Sequence, residues 1–200
     1  MKTLFIEARS KEKIDEVLKK VNIPGKVGLI TTIQFLDQVK QIKNKNYIFA
    51  GQVLGCKADN AIKIQKKVDS YLYIGSGKFH PIWVALKTKK PVYIANPNTN
   101  EFSKLDENEI IEYEKKLKGK LNKFYAANSY GILVSVKPGQ YNLKKALELK
   151  NKLKNSYIFM FNTLNELEFE NFNKIDLWIN AACPRIEGKN IINLEDLPKL

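Results

Sequence analysis

Short β-branched or aromatic runs alternate along this chain with Lys/Glu-rich stretches of helical period, the pattern of a parallel α/β protein. Strands are predicted at 4–8, 26–31, 47–51, 71–75, 91–95, 131–136, 157–161 and 176–180. Most are nearly continuous apolar runs, as expected of strands covered on both faces. Helices are predicted at 11–20, 33–40, 81–87, 107–128, 143–154 and 164–171. The Asn-Pro-Asn-Thr-Asn run within 96–105 is a turn cluster and predicts a domain boundary.

What lies on either side of that cluster looks duplicated. Gly28-Leu-Ile-Thr-Thr is echoed by Gly131-Ile-Leu-Val-Ser, Tyr47-Ile-Phe by Tyr157-Ile-Phe, and Leu72-Tyr-Ile-Gly-Ser-Gly by Leu177-Trp-Ile-Asn-Ala-Ala. The echoes keep their order at offsets of roughly 103 to 110 residues, which suggests two copies of one unit. The expected fold is therefore α/β, with two similar parallel-sheet domains related by internal duplication and spanning 1–100 and 101–200.

Composition narrows the class. The chain has 200 residues, 44% hydrophobic and 28% charged, ordinary for a globular protein. No apolar run approaches the roughly 20 residues that span a bilayer. The start meets Glu7 after only a few apolar residues, unlike a signal peptide, so a cytoplasmic protein without membrane partners is expected. The net charge of +13 invites a nucleic-acid reading. Yet only Arg9 and Arg185 are arginines, and the lysines are scattered, often beside Glu or Asp, as at 112–120 and 144–154. That is the pattern of a solvated surface, and a nucleic-acid partner is not expected.

Chemistry in a parallel sheet gathers at the carboxyl ends of its strands. Thr31, Thr32 and Gln34 follow the second predicted strand, and Gly51-Gln-Val-Leu-Gly-Cys56 the third. Gly75-Ser-Gly-Lys-Phe-His80-Pro81, Ser135-Val-Lys-Pro-Gly-Gln140 and Asn180-Ala-Ala-Cys-Pro-Arg185 follow later ones. The Gly-Ser-Gly turn is either structural or a place where backbone amides approach a bound anion; no nucleotide motif accompanies it. His80, the single histidine, is either a packing residue or a base beside Ser76 or Ser135, and no nucleophile elbow supports the second. Cys56 and Cys183 are too far apart for a zinc knuckle. They are either buried small side chains or thiolates brought together by pseudo-symmetric loops.

Together five segments resemble the 2-(3-amino-3-carboxypropyl)histidine synthases of diphthamide synthesis, a radical S-adenosylmethionine family. They are Gly28-Leu-Ile-Thr-Thr-Ile-Gln34, Gln52-Val-Leu-Gly-Cys56, Tyr73-Ile-Gly-Ser-Gly-Lys-Phe-His80-Pro81, Leu133-Val-Ser-Val-Lys-Pro-Gly-Gln140 and Trp178-Ile-Asn-Ala-Ala-Cys-Pro-Arg185. The resemblance implies three similar α/β domains around a central site, each giving one cysteine to a 4Fe–4S cluster at which S-adenosylmethionine binds. Cys56 and Cys183 match the second and third family cysteines, and the segments fall on the second and third domains. The first domain and its cysteine are then expected from a partner chain, from another copy in a homo-oligomer, or from a longer polypeptide. A noncatalytic paralogue or subunit is the alternative. The resemblance further implies transfer of a 3-amino-3-carboxypropyl group to a histidine of elongation factor 2. Thr31, Gln34, Gly75, Ser76, Gly77, Ser135, Lys137, Gly139, Gln140 and Arg185 are the expected cofactor-binding residues. Lys137 or Arg185 would pair with the methionine carboxylate, and a strand-end salt bridge is the other reading of Arg185.

Overall fold

In the computed structural model, which describes residues 3–54 and 58–198, the chain divides into two compact units, Met1–Ile111 and Glu112–Leu200. The first unit holds β1 (Val27–Thr31), β2 (Tyr47–Gln52), β3 (Ser70–Ile74), β4 (Val92–Asn96) and β5 (Glu101–Lys104). Its helices are α1 (Asp15–Lys19), α2 (Leu36–Lys40), α3 (Asp59–Ile64) and α4 (Phe79–Thr88). A long helix, α5 (Glu107–Ala126), carries the boundary between the units. Its acidic first turn and Lys123 in the last suit the helix dipole. The second unit adds β6 (Tyr130–Ser135), α6 (Leu143–Lys150), β7 (Ser156–Phe161), β8 (Leu177–Asn180) and β9 (Ile191–Asn193).

The two sheets are wired alike. Strand order is β2-β1-β3-β4-β5 in one and β7-β6-β8-β9 in the other, and every pair is parallel except β4 with β5. Each central strand carries a glycine directly opposite an aromatic residue, Gly28 against Tyr71 and Gly131 against Trp178. A Cβ at Gly28 would lie 2.7 Å from the Tyr71 ring, and one at Gly131 would collide with the Trp178 ring. At the amino end of each sheet an aspartate holds the chain entering the central strand. Asp69 accepts the Lys26 N–H at 2.7 Å, while Asp176 accepts those of Asn128 and Ser129 at 2.9 and 3.1 Å. The duplication is thus visible in topology, register and side-chain roles.

Alternate strand residues feed opposite faces, as the unbroken apolar runs required. In the first unit Ile30, Tyr71 and Tyr73 pack with Val84 and Ala85 of α4 and Ala61 of α3. Leu29, Leu72 and Ile74 face Val17 of α1 and Val39 of α2. The buried Tyr71 phenol donates to Ala61 O at 2.6 Å, and burial pushes it up to about 12. In the second unit Ile132, Val134 and Ile179 meet Phe124 of α5 and Ala146 of α6. On its other face no α-helix packs among the described residues; a 3-10 segment, Glu166–Phe172, lays Phe169 on Trp178 with ring centroids 4.3 Å apart.

Several elements depart from the sequence expectation. The run at 4–8 is not a strand: Leu4, Phe5 and Ile6 are 83%, 71% and 84% exposed, without a ladder partner among the described residues. The Asn-rich stretch at 96–105 contains β5, which turns back on β4, with Asn96 opposite Glu101. α3 and β9 were not anticipated, and the helix expected at 164–171 is the 3-10 segment. Among the described residues no helix is long and apolar enough to cross a membrane.

Candidate functional site

The carboxyl edge of the first sheet brings Thr31 and the Gly-Ser-Gly loop together. Thr31 ends β1 fully buried, and its hydroxyl donates to Ile74 O at 2.6 Å. That bond fixes the last carbonyl of β3, where the loop begins. The Gly75 N–H then donates to Ala95 O at 3.0 Å, and Ser76 and Gly77 stand exposed. Gly75 cannot be replaced without movement, because a Cβ there would lie 2.7 Å from the Tyr73 hydroxyl. α4 starts two residues beyond Gly77, and Pro81 fits its first turn, where no intrahelical N–H is needed. Beside the loop, Lys78 pairs with Glu109 at 2.7 Å, which raises the ammonium pKa. Gln34 lies exposed in the 3-10 turn after β1, with its carbonyl held by the Ser10 N–H at 2.9 Å.

Cys56 lies outside the described residues. The chain leading toward it is held by the Val53 N–H, which donates to Thr31 O at 2.8 Å, and Leu54 is exposed.

In the second unit Ser135 ends β6, and Cys183 lies in the loop that follows the neighbouring strand β8. Ser135 is fully buried at the end of β6, and its hydroxyl accepts the Lys137 N–H at 3.1 Å. The Gln140 N–H closes the turn on Lys137 O, also at 3.1 Å, with Gly139 at φ +80. Lys137 and Gly139 are exposed and Gln140 half-buried. The loop after β8 joins this one through Asn142, whose amide donates to Ala181 O at 2.9 Å. Cys183 is half-buried there, and Arg185 is exposed two residues later.

Asn180, which is not among the expected site residues, organises the cysteine loop. Its amide donates to Cys183 O and to Asn193 Oδ1, both at 2.8 Å, while its Oδ1 accepts the Ala182 N–H at 2.9 Å. The signal available in sequence was one polar side chain closing the otherwise apolar run Leu177-Trp-Ile-Asn180. His80, left open between packing and catalysis, is buried with its Nδ1 3.4 Å from the Tyr73 hydroxyl.

The donor set fits iron–sulfur ligation in kind. Cys183 is a half-buried residue on a loop whose backbone is fixed by side-chain hydrogen bonds, a setting that suits a thiolate ligand. Among the described residues no group of three or more His, Cys, Asp or Glu side chains is gathered to hold a metal. The full sequence has two cysteines, fewer than the three expected for the cluster.

Comparison with known proteins places the chain in a family. The family described as "Putative diphthamide synthesis protein" matches residues 1–192. A 2-(3-amino-3-carboxypropyl)histidine synthase of Pyrococcus horikoshii is 28% identical over 92% of this chain and 59% of its own length. One of Methanocaldococcus jannaschii is 30% identical over 93% of this chain and 56% of its own. This chain therefore spans less than two thirds of these curated relatives. The crystal structure of Dph2 from Pyrococcus horikoshii with a 4Fe–4S cluster superposes with a TM-score of 0.79 at 26% identity, covering 94% of this chain and 62% of that one. With the match running through both sheets and their strand-end loops, the chain belongs to the diphthamide synthesis protein family.

Proposed function

We propose that this chain serves diphthamide biosynthesis as the part of a 2-(3-amino-3-carboxypropyl)histidine synthase that helps hold a 4Fe–4S cluster and S-adenosylmethionine. The reaction would transfer the 3-amino-3-carboxypropyl group of S-adenosylmethionine to a histidine of elongation factor 2 in the cytoplasm. The observation that carries this reading is the half-buried Cys183 on its Asn-fixed loop, in a chain that superposes on a Dph2 with a 4Fe–4S cluster. When bound, the cluster supplies one electron for cleaving the sulfonium.

Cys56 and Cys183 bind iron as thiolates, each releasing its proton on ligation. Gly75, Ser76 and Gly77 let the backbone approach the cofactor, with the exposed Ser76 and Gly77 offering their amides to its carboxylate. Thr31 acts one step back by holding Ile74 O, and Gln34 lines the neighbouring turn. Ser135, Lys137, Gly139 and Gln140 form the corresponding loop of the second unit. Lys137 or Arg185 pairs with the methionine carboxylate, where arginine offers a two-pronged fork.

A third cysteine would come from a partner chain, from another copy or from the rest of a longer polypeptide. A noncatalytic subunit or paralogue is the second reading, in which the two cysteines of this sequence hold no complete cluster. A relative in Encephalitozoon cuniculi is named as subunit 1 of a synthase. Anaerobic reconstitution, alone and with each candidate partner, tests the proposal. A brown protein is expected in the complete assembly, with Cys56→Ala and Cys183→Ala each losing most of the iron. Unchanged iron in either variant removes that residue as a ligand. A colourless product with every partner defeats the catalytic reading, and calorimetry with S-adenosylmethionine then decides whether binding survives.

A further inference from the structure

The register of the two sheets matches residues that the sequence echoes did not. Gly28 faces Tyr71 and Gly131 faces Trp178, so two positions further on Tyr73 matches Asn180. Both side chains reach forward to the same backbone atom. The Tyr73 hydroxyl donates to Ser76 O at 3.3 Å, and the Asn180 amide donates to Cys183 O at 2.8 Å. In each case the acceptor is the carbonyl three residues on. Each clamp also has a buried polar companion from the element that follows: His80 of α4, with Nδ1 3.4 Å from the Tyr73 hydroxyl, and Asn193 of β9, with Oδ1 2.8 Å from the Asn180 amide.

We propose that Tyr73 with His80, and Asn180 with Asn193, are a repeated pair of clamps that set the two strand-end loops, and so are positioning residues for the groups those loops receive. The inference rests on the reading of Gly75–Gly77 and Cys183 as cofactor- and iron-binding. In the first unit the phenol fills the space that a side chain at residue 75 would need, which explains the glycine there. The two rings face each other, centroids 5.8 Å apart and 25° from parallel, with Phe79 edge-on to the imidazole at 5.4 Å. A phenol carries one proton and Ser76 O can only accept, so the proton that serves Ser76 O leaves an oxygen lone pair toward His80.

In the second unit the same position uses a shorter side chain and two further bonds, from Ala182 N–H and to Asn193. The first clamp, with both contacts longer than the usual range for hydroxyl hydrogen bonds, is the weaker restraint. By this correspondence Ser76 and Cys183 are equivalent positions, one offering a hydroxyl and the other a thiol. One scaffold position therefore serves cofactor contact in one unit and metal ligation in the other.

The test uses the full chain and reads the loops directly. In Tyr73→Phe, which keeps the ring and loses only the hydroxyl, amide hydrogen exchange over 75–78 is expected to accelerate up to about tenfold, the scale of one hydrogen bond. Exchange within β3 and the melting temperature stay unchanged. In Asn180→Ser the Ala182 amide is expected to lose protection; should that variant fail to fold, Asn193→Ser probes the same clamp. Unaltered exchange over both loops in the folded variants overturns the proposal. Calorimetry separates it from the cofactor reading. With S-adenosylmethionine as the probe, Tyr73→Phe should weaken binding by a similar factor, a change that general loss of stability would not give. Faster loop exchange in the variant, combined with no heat of binding in the wild-type protein in its complete assembly, would leave the clamps standing and remove the cofactor assignment.

Discussion

The third strand of each sheet leaves by a different route. After β3 the chain turns through Gly-Ser-Gly into α4, a helix of ten residues, before it reaches β4. After β8 it reaches β9 with no helix, and the loop between them is held by Asn180, Asn142 and Asn193. The first arrangement presents backbone and a hydroxyl, while the second presents a sulfur. The difference shows that the parallel strand ends are the constant part of this fold and that the connection decides which chemistry they offer. A helix orders its own first turn, whereas a loop of this length needs side chains to satisfy its carbonyls.

The faces differ as well. Helices α3 and α4 cover the Tyr71 face of the first sheet, and Phe159, Phe169 and Phe172 cover the Trp178 face of the second. The largest expected effect breaks this aromatic wall. Trp178→Ala should cost about 3–5 kcal/mol, as large aromatic truncations in cores do. Trp83 then remains as the single tryptophan and reports the first unit, so its urea midpoint should hold while the helix signal loses stability in a separate step. A joint fall of both would show that the units do not unfold independently. Next come Gly28→Ala and Gly131→Ala, each expected to cost about 1–3 kcal/mol by overpacking. Gly131 should be the more sensitive, because its Cβ would meet the Trp178 ring more closely than that of Gly28 meets Tyr71. Equal urea midpoints for the two variants would refute that ordering.

The smallest effect concerns the entry aspartates. Backbone N–H donation from Asn128, followed by the bonds from Ser129, holds the Asp176 carboxyl below its usual 3.8. A folded-state value below the unfolded one stabilises the fold above the unfolded value, and that contribution fades as pH falls through the folded one. Wild-type stability should therefore decline below about pH 4, and Asp176→Asn should flatten that limb of a urea-midpoint profile. A profile with the same slope in the variant would assign the acid sensitivity elsewhere.

Much of this was legible in the sequence because buried parallel strands are written as apolar runs. β1, β4 and β6 fall within a residue or so of expectation for that reason. Where burial and propensity parted, the reading failed. Leu4-Phe5-Ile6 has strand-like residues but no partner edge among the described residues, and Glu101–Lys104 forms a strand although its surroundings are rich in turn residues. The repeat was read in the right order but in a shifted register. Tyr47 and Tyr157 look alike, yet Val27 faces Tyr47 whereas Gly131 faces Tyr157, a one-residue offset that reverses the face. The echo that sets Tyr73 beside Trp178 is off by two residues, which keeps the face but hides the true counterpart, Asn180. The loops themselves were recognisable by residue type, but their internal bonds were not. Those bonds join residues such as Asn142 and Ala181, which no local pattern connects.

The β4–β5 hairpin bears on how the first sheet comes together. Parallel partners meet only after a crossover has closed, a slow search through distant contacts. β5 pairs with β4 across a four-residue turn, which Asn96 and Glu101 brace from either side by accepting from Asn98 N–H and the Thr99 hydroxyl. Hairpins of this kind close on the microsecond scale, and this pairing by itself sets which face of β4 carries Val92 and Ile94. The antiparallel strand thus works as a local template, giving a sheet built from long-range pairings one edge whose alignment is set early.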